Sequence, residues 1–162
     1  MRAIAFLPRT RSKAVFVLVM ACYCITVTHF ISTWRRAAHV HSPPPSFYWP
    51  ASDPLGNVIS ALLIAPFFES LLLIGIFELA CRARAPEWAQ VVAAALVVSL
   101  THVWPWWPHA VIVLPAFCIQ AAAYLYWRRL SWKLAYWLVV LIHVFTNLIP
   151  AISLIGVATR KA

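Results

Sequence analysis

Long, nearly uncharged runs of apolar residues constrain this chain more than any other feature. Hydrophobic residues make up 64% of the 162 residues and charged residues only 10%, and the apolar residues are continuous rather than confined to one face of each helix. A run of about 20 apolar residues can cross the hydrocarbon core of a bilayer as a helix. We predict an all-α polytopic membrane helical bundle with about five transmembrane helices, at residues 14–33, 57–80, 88–107, 110–127 and 132–154.

The apolar runs leave no room for a separate soluble domain, so we predict a single membrane domain over residues 1–162. Residues 1–56 are expected to form an N-terminal anchor helix and a proline-rich external loop, and residues 57–155 a four-helix core. The first run is too long for a signal peptide and lacks a small-residue cleavage pattern, so we expect an uncleaved anchor. The segment HSPPPSFYWPASDP, residues 41–54, is expected to be extended or rich in turns.

The formal net charge of +9 would indicate an acidic partner or nucleic acid in a soluble chain. Here the basic residues flank the apolar runs, so we expect the lipid bilayer as partner and no nucleic acid. The positive-inside rule predicts a cytoplasmic N-terminus, an external C-terminus and a multi-pass protein of the plasma (inner) membrane. The side of the N-terminus holds Arg2, Arg9, Arg11, Lys13, Arg82, Arg84, Arg128, Arg129 and Lys133, and the opposite side Arg35, Arg36, Arg160 and Lys161.

The usual motifs of soluble enzymes are missing from the sequence. The four cysteines form no C-x-x-C pair, which argues against a zinc knuckle. A glycine-rich phosphate loop, a nucleophile elbow and an H-E-x-x-H sequence are also missing. His39 and His41 have the spacing of a weak metal pair, and we interpret them as ordinary loop histidines.

Four polar residues interrupt the apolar runs: Glu69, His102, His143 and Asn147. Such residues are costly inside a bilayer, so they need partners or a function. His143 and Asn147 are four residues apart, which places their side chains on one helix face, about 5 to 6 Å apart. Because helix axes pack about 8 to 10 Å apart, three spans can bring these groups together. We predict that all four form one site in a hydrated pocket that leans toward the outer half of the bilayer.

Two further residues of the second span bear on this hypothesis. Glu78 follows Glu69 by two and a half turns, so we expect it on the opposite helix face, in an interfacial ion pair with Arg82. Pro66 lacks a backbone N–H, which in an α-helix leaves the carbonyl of Leu62 without its donor. Freed backbone is tolerated where protein or water reaches it. A wet cavity beside Glu69 and a simple proline kink both fit Pro66.

The polar residues resemble the motifs of the CAAX-type intramembrane endopeptidases, also called the CPBP or Abi family. The first family motif, P-x-x-E-E-x-x-F-R-G, is matched by Pro66, Glu69 and Gly75. The second, F-x-x-x-H, is matched only at His102, and the last, H-x-x-x-N, in full by His143 and Asn147. The resemblance covers about residues 57–155, and the order and spacing of the motifs are its most specific part.

The sequence departs from the family pattern at two positions of the first motif. Ser70 stands where the family has its second Glu, and Ile74 where it has Arg. Removing both partners of an ion pair costs less than stranding one, so the two changes are consistent with a compensated loss. They are also consistent with a divergent subgroup or an inactive enzyme.

The resemblance implies hydrolysis of a peptide bond in a membrane-tethered peptide or protein. In this hypothesis Glu69 activates water, His102 holds the same water, and His143 and Asn147 stabilise the oxyanion, so that all four residues are catalytic. The resemblance also allows a metal-dependent version, in which two imidazoles and one carboxylate bind a divalent metal such as zinc. We favour the metal-free version because no second carboxylate remains to support a ligand.

Two functions of other classes fit the same residues. A catalytically silent relative could act as a membrane scaffold or immunity protein, with the polar residues as a hydrogen-bonded core between helices. A small transporter could use Glu69 and a histidine as a proton relay. The transporter is disfavoured because the spans show no inverted repeat and no second broken helix mirrors Pro66.

Overall fold

The structure is a computed structural model that describes residues 12–38, 53–104 and 106–159. Regular structure within these ranges is entirely helical, which confirms the predicted all-α bundle. The six α-helices are α1 (Lys13–Ala37), α2 (Pro54–Ile59), α3 (Ala65–Arg82), α4 (Glu87–Leu100), α5 (Pro108–Trp127) and α6 (Trp132–Thr159). The described residues do not include most of the predicted proline-rich loop. They also do not include His39, His41, Arg2, Arg9, Arg11, Arg160 and Lys161.

Helices α2 and α3 are joined without a loop by a π-helical turn, Ser60–Ile64. Asp53 caps the N-terminus of α2, where its carboxylate accepts the backbone N–H of Gly56 at 2.8 Å. The three segments form one continuous helical rod over residues 54–82. We refer to Ser60–Ile64 below as the π-turn.

Among the described residues, four helices are long and apolar enough to cross a membrane: Lys13–Ala37, Leu55–Arg82, Pro108–Trp127 and Trp132–Ser153. They support a multi-pass membrane protein. Large apolar side chains such as Leu63, Leu79 and Leu100, each more than 60% exposed, lie on the outside of the bundle. Apolar surface of this extent is unfavourable in water and is expected of residues that face lipid.

The third predicted span is shorter than the sequence suggested. Helix α4 has 14 residues and ends at Leu100, so the prediction of a helix through residue 107 is wrong for its last turns. The carbonyl of Val98 accepts the Thr101 hydroxyl at 2.7 Å and lies 3.0 Å from Nδ1 of His102, which ends the helix. Because a proline fits the first position of a helix, Pro108 begins α5 soon afterwards.

Helix α5 is the central element of the bundle and packs against α1, α3, α4 and α6. Most of its side chains are buried, including Ala121, Ala123 and Tyr124. On α4, Ala94 and Ala95 are fully buried, and such small residues allow helices to approach closely in membranes. Phe16 of α1 stacks on Tyr126 of α5, with ring centroids 5.6 Å apart, so the N-terminal helix belongs to the same bundle.

Candidate active site

The π-turn precedes Glu69 by about one helical turn and contacts the predicted site. The backbone N–H of Ala65 donates to the carbonyl of Ser60, five residues back. In the same register the next donor would be residue 66 and its acceptor the carbonyl of Ala61, but Pro66 has no N–H. The prediction that Pro66 frees the carbonyl of Leu62 assumed an α-helical register. In the π-helical register of the Ala65 bond, the carbonyl that residue 66 would have served is instead that of Ala61.

Asn147 of α6 supplies a donor for this carbonyl. Its side-chain Nδ2 donates to the carbonyl oxygen of Ala61 at 2.8 Å. One of the two amide hydrogens of Asn147 is therefore committed to a backbone group of the neighbouring rod. The oxyanion role of Asn147 stays a prediction.

Glu69, His102 and His143 come together from three parts of the chain, and we call them the polar layer. The carboxylate oxygen Oε2 of Glu69 lies 3.5 Å from Nε2 of His102 and 3.6 Å from Nε2 of His143. The side chains of Glu69 and His102 are 23% and 19% exposed and that of His143 is 6% exposed. One carboxylate oxygen thus faces two imidazole nitrogens on a partly accessible side of the bundle.

The backbone determines which nitrogen of His102 carries hydrogen. Nδ1 of His102 lies 3.0 Å from the carbonyl of Val98, which can only accept, so Nδ1 is the donor. In a neutral ring Nε2 then presents a lone pair toward Glu69. A carboxylate and a lone pair are both acceptors, so this contact favours a shared proton or a water that donates to both.

His143 has the opposite preference. Its Nδ1 is buried and has no hydrogen-bond partner among the described residues. A buried N–H without a partner is rarer than a buried acceptor without one, so the hydrogen belongs on Nε2, where it points at Glu69. The polar layer therefore combines an acceptor, His102, with a donor, His143, around one carboxylate.

The two contacts of Glu69 in the polar layer are longer than direct hydrogen bonds. Direct N–H···O hydrogen bonds are about 2.7 to 3.2 Å long, whereas the two contacts of Glu69 measure 3.5 and 3.6 Å. Catalytic contacts in enzymes without substrate are often long in this way. A water or a substrate oxygen could bond to all three groups.

Two residues next to the polar layer were not identified from the sequence. The ring of Phe117 contacts both histidines, with centroids 5.5 Å from His102 and 5.5 Å from His143. His109 packs edge-on against His102 at 5.4 Å. A third histidine seven residues after His102 was a signal for His109, but nothing distinguishes Phe117 from the other apolar residues of α5.

The second glutamate of α3 lies in a different cluster, away from the polar layer. Glu78 accepts Nη2 of Arg128 at 2.9 Å and the hydroxyl of Tyr124 at 2.8 Å. Nη1 of Arg128 donates to Sγ of Cys81 at 3.4 Å. We call these four residues the arginine cluster. The predicted pair of Glu78 with Arg82 is wrong, because Arg128 reaches the carboxylate from α5 across the helix interface.

The two departures from the family motif lie inside the bundle. Ser70 is fully buried and Ile74 is 7% exposed, and Ile74 belongs to the hydrophobic core. An unpaired charge at either position would be expensive. A serine and an isoleucine at these positions are thus compatible with the loss of both partners of an ion pair.

A zinc site would need three or more ligand side chains arranged around one point. No group of three or more His, Cys, Asp or Glu in the part of the chain that the structure describes is arranged to hold a metal ion. A ligand histidine almost always donates its other ring N–H to an acceptor, and Nδ1 of His143 has none among the described side chains and backbone. The metal-dependent version stays a prediction, and we derive no step through a metal.

Comparison with protein-family models, curated proteins and solved structures finds no match to this chain. The family resemblance of the motifs therefore stays a prediction.

Proposed function

We propose that this chain is an intramembrane endopeptidase of the CAAX type, which hydrolyses a peptide bond of a membrane-tethered substrate. One observation carries the proposal: Oε2 of Glu69 faces Nε2 of His102 at 3.5 Å and Nε2 of His143 at 3.6 Å. A base, a second acceptor and a donor around one point are what activation of water for peptide hydrolysis requires.

In the proposed reaction a water donates one hydrogen to Glu69 and the other to Nε2 of His102. Glu69 takes the first proton as the water oxygen bonds to the scissile carbonyl carbon. The oxyanion accepts a hydrogen bond from the Nε2–H of His143. The carbon–nitrogen bond then breaks, and Glu69 returns its proton to the leaving amine, so that a carboxylic acid and an amine are formed from peptide and water.

The surface beside Glu69 supports a substrate that arrives from the membrane. Phe68 is 61% exposed, Glu69 is partly exposed, and Ser70 is fully buried, so Glu69 lies between the outward and inward faces of α3. Leu71 and Leu72 are also exposed. An apolar segment could approach along this face and bring its backbone to the carboxylate. The charge pattern of the sequence supports a plasma (inner) membrane protein with a cytoplasmic N-terminus.

The test is Glu69→Gln, which keeps size and hydrogen bonding and removes the base. The purified variant in proteoliposomes is incubated with a membrane-anchored peptide library, and cleavage is measured by mass spectrometry per amount of folded protein. We expect a fall of about 10²- to 10⁴-fold. Glu78→Gln is the matched control, because it makes the same change on the same helix in the arginine cluster, and it should cleave like the wild type. Unchanged cleavage by folded Glu69→Gln would contradict the proposal.

A catalytically silent scaffold or immunity protein is the second candidate, and the bond from Asn147 to Ala61 favours it. That contact uses one of the four polar residues to join two helices, as polar side chains do in non-catalytic membrane bundles. A scaffold predicts no cleavage by the wild-type protein under any of these conditions. It also predicts that Glu69→Gln changes only stability or partner binding.

A further inference from the structure

We infer that Asn147 is a positioning residue that replaces the backbone donor missing at Pro66 and so holds α6 in register with α3. The inference goes beyond the proposed function, since it concerns how the polar layer is held rather than what it does. It also differs from the oxyanion role that the sequence resemblance gives to Asn147.

Pro66 lacks a backbone donor next to the π-turn. The backbone N–H of Ala65 donates to the carbonyl of Ser60, which is a π-helical hydrogen bond. In the same register, residue 66 would donate to the carbonyl of Ala61. Proline cannot donate, and the side chains of Ala61 and Pro66 are both buried, so water has little access. The amide of Asn147 meets this carbonyl at 2.8 Å, a normal hydrogen-bond length.

The bond from Asn147 lies close to the polar layer along α6. Asn147 lies one turn after His143 on α6, and α6 packs against both the π-turn and α3. A bond from Asn147 to the π-turn thus fixes the position of α6 along its axis relative to α3. This bond lies one turn from the contact between His143 and Glu69. A shift at this point would change the 3.6 Å separation on which the proposed reaction depends.

The missing donor can be restored, which makes the inference testable. In Pro66→Ala the backbone N–H of residue 66 can donate to Ala61 if the π-turn remains. If the turn becomes α-helical, the N–H of Ala65 takes over the same carbonyl. In either register Ala61 no longer needs Asn147.

The experiment is a double-mutant cycle in the full-length protein, with Asn147→Ala, Pro66→Ala and the double variant. Thermal midpoints in detergent and cleavage rates per folded protein, resolved into kcat and KM, are measured for all four proteins. We expect the fall in midpoint caused by Asn147→Ala to shrink to about half or less in the Pro66→Ala background. We also expect the double variant to have a higher kcat than Asn147→Ala alone. Where Asn147→Ala gives no folded protein, recovery of folded protein in the double variant is the expected result.

Two controls separate this coupling from general effects. Thr146→Val removes a hydroxyl that donates to the carbonyl of Ile142 in its own helix and contacts the Cys24 thiol of α1, away from the π-turn, and Pro66→Ala should not rescue it. Pro115→Ala removes a proline from the interior of α5 and should not rescue Asn147→Ala.

Three results would overturn the inference: equal falls in midpoint in both backgrounds, a double variant no more active than Asn147→Ala, or a double variant that stays unfolded. An oxyanion donor would give the second of these, since a backbone N–H at residue 66 cannot replace a group that touches substrate. If the wild type cleaves nothing, the proposed function fails, and the midpoints still decide the role of Asn147.

Discussion

Helix α3 carries two glutamates whose surroundings differ in almost every respect. Glu78 has short contacts to a guanidinium and a phenol, at 2.9 and 2.8 Å, and its neighbours in the arginine cluster bond to one another. Glu69 faces two imidazoles at 3.5 and 3.6 Å, and within the described ranges no Lys or Arg lies within salt-bridge distance of it. Each oxygen of the Glu78 carboxylate accepts a short hydrogen bond from protein, whereas the contacts of Glu69 are longer than direct hydrogen bonds.

The difference shows how the same residue type serves two purposes in one helix. A carboxylate neutralised by an arginine is stabilised in its place and has little left to offer a ligand. A carboxylate that faces only a lone pair and one N–H is less stabilised, and reactive groups in enzymes are often held in this condition. The polar layer is therefore the candidate for chemistry, and the arginine cluster is the candidate for holding α3 against α5.

The largest expected difference between the two clusters is in activity. His143→Phe keeps an aromatic ring of similar size and removes the proposed oxyanion donor, so kcat should fall by about 10²- to 10³-fold. The thermal midpoint should not fall, because the change also removes a buried nitrogen that has no hydrogen-bond partner among the described residues. Tyr124→Phe, the matched change in the arginine cluster, should leave kcat unchanged and lower the midpoint. Wild-type kcat in His143→Phe, or an equal loss in both variants, would remove the distinction.

A smaller effect is expected on stability, and here the order of the two clusters reverses. Arg128→Met strands the carboxylate of Glu78 and should lower the free energy of unfolding by about 1 to 3 kcal/mol, measured by denaturant titration in detergent micelles. The double variant Glu78→Leu with Arg128→Met removes both charges and should lose less than the single variant. A double variant that loses the sum of both single effects would show that Arg128 and Glu78 act independently.

The smallest effect is expected at the exposed pair of Arg129 and Glu87, which joins the start of α4 to the end of α5. Nη2 of Arg129 lies 2.7 Å from Oε1 of Glu87, but the two side chains are 43% and 38% exposed. Exposed pairs contribute about 0 to 1 kcal/mol and are weakened by salt. Glu87→Gln should therefore change the midpoint little at low salt and not at all at high salt. A loss as large as that of Arg128→Met would mean that exposure does not explain the contrast between these pairs.

Sequence reasoning anticipated the long helices well and the short one poorly. The runs in α1, α3, α5 and α6 are long and apolar enough that hydropathy alone locates them. Residues 103–107 are also apolar and aromatic, so hydropathy extended α4 past the point where side-chain bonds to Val98 end the helix. The sequence did not predict the π-turn for a related reason. A wider helical turn cannot be recognised from hydropathy in a stretch where nearly every residue is apolar.

At the candidate site, sequence reasoning selected polar residues but not their partners. Glu69, His102 and His143 were grouped because each is costly in lipid, and the structure brings the three together. Glu78 was paired with Arg82 because the spacing of four residues is visible in sequence, whereas Arg128 lies 50 residues away. The Ala61 carbonyl could not be anticipated as the acceptor for Asn147, because a backbone oxygen carries no sequence signal.

The sequence by itself determined that this protein belongs in a lipid bilayer. It also determined which polar side chains in the apolar runs need partners. Continuous apolar runs require a membrane, and a glutamate, two histidines and an asparagine within them require partners. Only the tertiary structure decided which partner each group has, because partners are set by helix register and rotation. A change of one residue in register, such as the π-turn introduces, turns a side chain by about 100°. Asn147 therefore meets Ala61, Glu78 meets Arg128, and Glu69 faces two histidines for reasons of packing that hydropathy does not contain.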